Sequence, residues 1–247
     1  RLIACPSVSP DPVGEPRCAR VLVDALEARI EHGEWPTADG RPADILDTFG
    51  GPMADTSHVI QTYQLSRLFG GRPALDGLTL EVPEGSFFGF LGPNGAGKST
   101  TINILTGLLA PSSGSAKVLG FDVETQGLEI KRRIGVVPDG LHLFERLSGE
   151  EHLRFVGEVY GLAPAEARRR AGQLLEAMDL TGDSSKLVSS YSHGMRKKLA
   201  LACALIHEPR ILFLDEPFEG IDAVATRELR DLLQKLVASH RVTVFLT

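Results

Sequence analysis

Cysteine is scarce in this sequence. Three residues in 247, Cys5, Cys18 and Cys203, cannot frame a disulfide scaffold, and a reducing compartment suits the chain. Long apolar runs are missing too: none approaches the roughly 18–20 residues that span a bilayer. There is no basic surplus. Lys and Arg number 26 against 32 Asp and Glu, a net charge of −6, which speaks against a nucleic-acid binder held by a basic surface. No internal repeat, heptad pattern or collagen period is visible. What remains is ordinary globular composition, with 43% hydrophobic and 23% charged residues. That fills one large core or two small ones and excludes disorder throughout.

The two ends of the sequence differ from its middle. Position 1 is Arg rather than Met, and residues 1–52 hold 7 of the 15 prolines. That segment carries 5 basic and 9 acidic residues, net −4, leaving −2 for the rest. Residues 1–57 read as a Pro/Gly-rich, poorly ordered extension, with Met53 as the natural start. Within it, Val21, Leu22, Ala25, Leu26 and Ile30 recur at helical spacing, so Ala19 to Ile30 is expected to be a helix. The competing reading is a small accessory segment docked on the main domain. Leu2-Ile3-Ala4-Cys5 has the look of a lipoprotein cleavage box, but no apolar segment precedes it. At the other end, Val242 to Leu246 reads as a β-branched strand, which implies a C-terminally truncated domain.

From about residue 58 strands and helices alternate, the α/β pattern. Strands are predicted at Val59 to Leu65, Leu78 to Val82, Ser86 to Leu91, Ser113 to Val123, Ile134 to Val137 and Ile211 to Leu214. A helix is predicted from Lys98 to Leu108. Ser148-Gly149-Glu150-Glu151 is a capping box opening another, and Pro164 sits at the first turn of the next. Met195 to Ile206 reads as a helix stopped near Pro209. Asp222 is placed as N-cap of a helix running to about Ser239.

Between a buried strand and a helix stands Gly92-Pro93-Asn94-Gly95-Ala96-Gly97-Lys98-Ser99, which fits G-x-x-x-x-G-K-[ST]. Backbone N–H groups at a helix N-terminus neutralise a polyphosphate without bulky side chains. Gly92, Gly95 and Gly97 permit the tight turn and the close approach. Lys98 is assigned to the β- and γ-phosphates, the Ser99 hydroxyl to Mg²⁺, and Thr100 completes the loop. The blander reading, a Gly-rich turn, does not account for the strand–loop–helix context. A nucleoside triphosphate with Mg²⁺ is the expected ligand, and the resemblance described below implies ATP.

Ile211-Leu212-Phe213-Leu214-Asp215-Glu216 is a strand ending in two carboxylates, at the sheet edge where open α/β folds bind ligands. Asp215 can hold Mg²⁺ through water, and Glu216 can polarise an attacking water as general base. Taken alone, the pair would read as a solvated acidic loop. A third motif, Tyr191-Ser192-His193-Gly194-Met195, lies 23 residues (192 to 215) before the acids.

Together these motifs resemble the ATP-binding cassette (ABC) ATPase family. The third motif is similar to the family signature L-S-G-G-Q, keeping Ser192 and Gly194 but carrying His193 for the first glycine and Met195 for the glutamine. Phe69 stands where the family stacks an aromatic residue on adenine. Glu219-Gly220-Ile221-Asp222 resembles the D-loop. Ile134 to Asp139 resembles the Q-loop strand, with Asp139 in place of glutamine as a possible Mg²⁺ ligand. An acid there and a Tyr-Ser-x-Gly-Met signature look like the ABC-2-type exporter group. The family's switch histidine would follow a strand like Val242 to Leu246.

The resemblance implies a P-loop NTPase core of α/β class, an N-terminal antiparallel β subdomain and a helical subdomain inserted at about 141–190. The cassette would cover 58–247. It implies a homodimer of ATP-binding subunits that sandwiches ATP between Lys98 and Asp215 of one and Ser192, His193, Gly194 and Met195 of the other. A separate transmembrane permease subunit and a peripheral position on the cytoplasmic face of the membrane follow from the same likeness. The alternatives are a soluble ABC ATPase acting on ribosomes or DNA, and a non-catalytic ATP-binding regulator. The 92-residue interval (99 to 191) and the acidic balance count against the first, and the presence of Glu216 against the second.

Overall fold

The computed structural model describes residues 3–6, 58–221, 223–240 and 242–247. Two sheets organise the chain. The first is antiparallel, in order β3-β2-β5-β6: β2 His58–Phe69, β3 Arg72–Pro83, β5 Ser113–Val118 and β6 Phe121–Asp122. The second has the order β1-β4-β9-β8-β7, from β1 Ile3–Pro6, β4 Phe87–Leu91, β7 Ile134–Val137, β8 Ile211–Leu214 and β9 Thr243–Leu246. Its last four strands run parallel, while β1 pairs antiparallel with β4.

The helices are α1 Lys98–Leu105, α2 Gly127–Lys131, α3 Gly149–Val159, α4 Pro164–Ala177, α5 His193–Leu205 and α6 Ala223–His240. Helices α3 and α4, with short 3₁₀ turns at Thr181–Asp183 and Val188–Ser190, lie between β7 and α5. The capping box at Ser148 is present in full: Ser148 Oγ accepts from the Glu151 N–H and the Glu151 carboxylate accepts from the Ser148 N–H.

The parallel sheet is buried on both faces, as its unbroken apolar strands require. Ile211, Phe213 and Phe245 face the antiparallel sheet and α1. Leu212, Leu214, Val244 and Leu246 face the core built from α3 to α6. Register places Phe88, Phe245 and Phe213 in one row across three strands, with ring centroids 5.4 and 5.5 Å apart.

Several boundaries differ from the sequence reading, each for a local reason. The strands expected at 59–65 and 78–82 are the parts farther from the turn of one long hairpin. It turns at Gly70-Gly71, both at positive φ as a type I′ turn needs. The single strand expected at 113–123 is broken by a second such turn at Leu119-Gly120. Helix α1 ends at Leu105 rather than Leu108. Thr106 Oγ1 bonds back to the Ile102 carbonyl, and Gly107 takes a left-handed φ of 68°. Helix α5 begins at His193, two residues before Met195, because Ser192 caps it. Helix α2 was not foreseen, being one turn long. The helix expected at 19–30, Met53 and Asp222 lie outside the described residues.

Candidate functional site

The phosphate loop leaves β4 and runs into α1. Gly95 and Gly97 stand at φ 82° and 93°, so both need glycine's freedom. At Gly97 space requires it as well: a Cβ there would lie 2.3 Å from the Ala74 carbonyl oxygen. Thr101, buried below, donates from Oγ1 to the Gly97 carbonyl at 2.9 Å. The loop closes on itself through the Ala96 N–H and the Pro93 carbonyl, 3.1 Å apart. Pro93, Asn94, Gly95 and Ser99 are exposed; Gly92, Ala96, Gly97, Lys98 and Thr100 are half-buried.

Lys98 folds back across this loop. Its ammonium donates to the Gly92 carbonyl at 3.0 Å and lies 3.7 Å from Glu216 Oε1. The structure thus brings together the two motifs on which the sequence reading rests, 118 positions apart (98 to 216).

The acidic pair follows β8. Asp215 is buried and accepts at Oδ1 from Thr247 Oγ1 at 2.7 Å. The same Thr247 oxygen accepts from the Glu216 N–H at 3.2 Å. Thr247 was missed in the sequence. Its signal is register: β8 and β9 run parallel with Leu214 opposite Leu246, so the next residue of each strand falls side by side. Glu216 has φ 48°, a left-handed conformation uncommon for a residue with a Cβ.

Lys197, also missed, is buried on α5 and sends its ammonium to the backbone carbonyls of Glu216, Pro217 and Glu219. Burial pushes this ammonium below its usual range, opposed by the carboxylates of Glu219, Asp139 and Glu216. Asp139 itself is exposed just beyond β7.

Ser192 caps α5, its Oγ accepting from the Met195 N–H at 3.2 Å. Ser192 and His193 are exposed, and Met195 packs on the core beneath. A Cβ built on Gly194 meets nothing within 4 Å, so the first turn of α5 is open to an approaching group. The His193 ring lies against Gly220. Tyr191 is an anchor rather than a binding residue: it is buried, and its hydroxyl donates to the Asp183 carbonyl at 2.9 Å.

Phe69 ends β2 at the hairpin turn, 48% exposed, with the Arg67 guanidinium 4.8 Å from its ring centroid. It is not a core aromatic. Among the described residues, no group of three or more His, Cys, Asp or Glu converges to form a protein-only metal nest. The oxygen donors at hand, the exposed Ser99 hydroxyl and the pinned Asp215 carboxylate, are the hard ligands that suit Mg²⁺ alongside phosphate oxygens.

Comparison with known proteins gives the chain a family. Residues 75–219 match the family described as ABC transporter. The chain is 40% identical over 191 residues to the daunorubicin/doxorubicin resistance ATP-binding protein DrrA of Streptomyces peucetius, covering 77% of this chain and 58% of that protein. It is 35% identical over 191 residues to the bacitracin transport ATP-binding protein BcrA of Bacillus licheniformis, with 77% and 61% covered. The chain therefore spans about three fifths of the length of these curated relatives. Among solved structures it resembles the dimeric post-hydrolysis state of the ATP-binding cassette MJ0796 bound to ADP and Pi. There the TM-score is 0.70 and the identity 25%, covering 76% of this chain and 86% of that one.

Proposed function

This chain belongs to the ABC transporter family, and from that premise we propose that it is the ATP-binding and ATP-hydrolysing subunit of an exporter. The observation that carries the reading is the meeting of Lys98 and Glu216 at 3.7 Å, where the phosphate loop and the carboxyl end of β8 face one another. A polyphosphate laid on the loop N–H groups meets Lys98 at its β- and γ-phosphates, with Glu216 beside it to take a proton from the attacking water. Gly92, Pro93, Asn94, Gly95, Ala96, Gly97 and Thr100 shape the cradle, and Phe69 stacks on the adenine. Ser99 and Asp215 would hold Mg²⁺, with Asp139 as a further oxygen donor. The ion supplies neutralisation of phosphate charge.

The exposed, Ser192-capped start of α5 offers its N–H groups and dipole to the γ-phosphate held by a second ATP-binding subunit. The dimeric state of the solved MJ0796 cassette supports that arrangement. A separate membrane subunit would complete the transporter, as membership of the family implies. Exposed Phe144, Phe155, Val159 and Tyr160 near α3 give it a surface to grip, and the cassette then sits on the cytoplasmic face. The relatives named for drug resistance and bacitracin transport favour outward movement of a toxic small molecule. The acidic balance favours no nucleic-acid partner.

The test is Glu216→Gln in the full-length protein. ATP binding is expected to persist, hydrolysis to collapse and an ATP-dependent dimer to accumulate. Hydrolysis within threefold of the parent would sink the reading.

A further inference from the structure

Three backbone carbonyls, those of Glu216, Pro217 and Glu219, converge on one point behind the acidic pair. Carbonyl dipoles aimed together repel unless a cation with several donors stands at their focus, and a Lys ammonium carries three. Lys197 fills that place. Its bonds to the Glu216 and Pro217 carbonyls are 3.2 and 3.1 Å, and its side chain is buried.

The turn it grips contains the left-handed Glu216, a conformation that persists only where surroundings over-determine it. Those surroundings are visible on both sides of the residue. Thr247 accepts from the Glu216 N–H, and Lys197 donates to the Glu216 carbonyl. With both flanking peptides fixed, the Glu216 side chain leaves the backbone in the direction that sets Oε1 facing Lys98.

We propose that Lys197 is the positioning residue for Glu216, holding the 216–219 turn from α5 so that the carboxylate faces the phosphate loop. This rests on the reading of Glu216 as the general base. It also gives α5 two roles on one rigid element. Ser192 opens the helix toward the partner subunit's nucleotide, and Lys197, five residues on, fixes the base of this subunit's own site. The contact of His193 with Gly220 runs along the same seam.

The experiment compares the parent, Lys197→Met, Glu216→Gln and the double variant in the full-length protein. It measures ATP affinity, steady-state kcat and KM, and single-turnover hydrolysis. Lys197→Met should lower kcat at least tenfold while KM and ATP affinity stay within twofold. Added to Glu216→Gln, it should change the residual single-turnover rate less than twofold, because the group it aims is already gone. A kcat within twofold of the parent overturns the proposal. So does an equal fractional loss in both backgrounds, which would mean that Lys197 supports the fold rather than the base. If Lys197→Met does not fold, Lys197→Gln, which keeps two amide donors on a shorter side chain without the charge, should lose rate in the same pattern; a parental rate there overturns the proposal too. Near-parental turnover by Glu216→Gln alone is a different failure: it removes the base itself, and this proposal with it.

Discussion

Lys98 Nζ and Glu216 Oε1 stand 3.7 Å apart, with side chains only 10% and 19% exposed. The pair joins the phosphate loop to the end of β8, and each partner has work elsewhere once a nucleotide is present. On the proposed reading, Lys98 would exchange the carboxylate and the Gly92 carbonyl for phosphate oxygens, and Glu216, released, would be free to meet water. Removing the cation should therefore affect binding before chemistry. Lys98→Ala is expected to weaken ATP at least tenfold, about 1.4 kcal/mol. Titration with a fluorescent ATP analogue measures this, and an unchanged affinity would mean that the loop is not the site.

The left-handed backbone of Glu216 allows stability to be separated from activity. At φ 48° a residue with a Cβ carries a cost that glycine escapes. Glu216→Gly and Glu216→Ala remove the same carboxylate and leave Lys98 equally without it. Glu216→Gly should nevertheless be the more stable by about 1 kcal/mol, with both inactive. Urea denaturation of the two variants gives the difference directly. Equal midpoints would show that the turn relaxes when the side chain is removed.

A second close contact lies under the signature. A Cβ on Gly149, the first residue of α3, would fall 2.2 Å from the Tyr191 hydroxyl oxygen. That hydroxyl is tethered to Asp183 and cannot easily yield. Gly149→Ala should cost about 1–3 kcal/mol as overpacking. In a Tyr191→Phe background most of that cost should vanish, since the clashing atom is gone. Additive losses in the double-mutant cycle would place the strain elsewhere.

Those contacts also mark what the sequence could and could not say. Linear motifs were legible. The glycines and Lys98 are adjacent in the chain, β7 and β8 were bounded to the residue, and the Ser148 capping box is local chemistry. Thr247 and Lys197 were not legible, although both touch the acidic pair. Thr247 reaches Asp215 only because β8 and β9 pair in parallel register. Lys197 reads as one of three consecutive basic residues, yet its neighbours bond outward, Arg196 to Glu145 and Lys198 to Glu228, while it turns inward. Helix phase decides between them, and a run of like charges hides it. The long hairpin was shortened for a related reason. Gln64 takes a positive φ at a bulge, which breaks the period-two pattern midway along β2.

Protonation gives a last test, in the core beside α3. His152 is buried and its Nδ1 accepts the Phe144 N–H at 3.3 Å. Burial depresses its pKa below the ordinary 6.5. His207, stacked on Tyr160, is depressed by burial as well. A depressed histidine is neutral when folded, while the unfolded chain takes up a proton below about pH 6.5. Stability from both residues is therefore fully present above that pH and declines as pH falls toward the folded values. The slope is at most about 1.4 kcal/mol per pH unit for each histidine. Carboxylates held low by hydrogen bonds, such as Glu151 with Ser148 and Asp122 with Thr125, begin to matter only further into acid. Urea denaturation at pH 7.5, 6.5 and 5.5 isolates the histidines. His152→Gln keeps an acceptor for the Phe144 N–H without the titration. It should flatten the decline between pH 6.5 and 5.5 by about half, leaving the share of His207. A slope as steep as the parent's would mean that His152 opens to solvent before it charges.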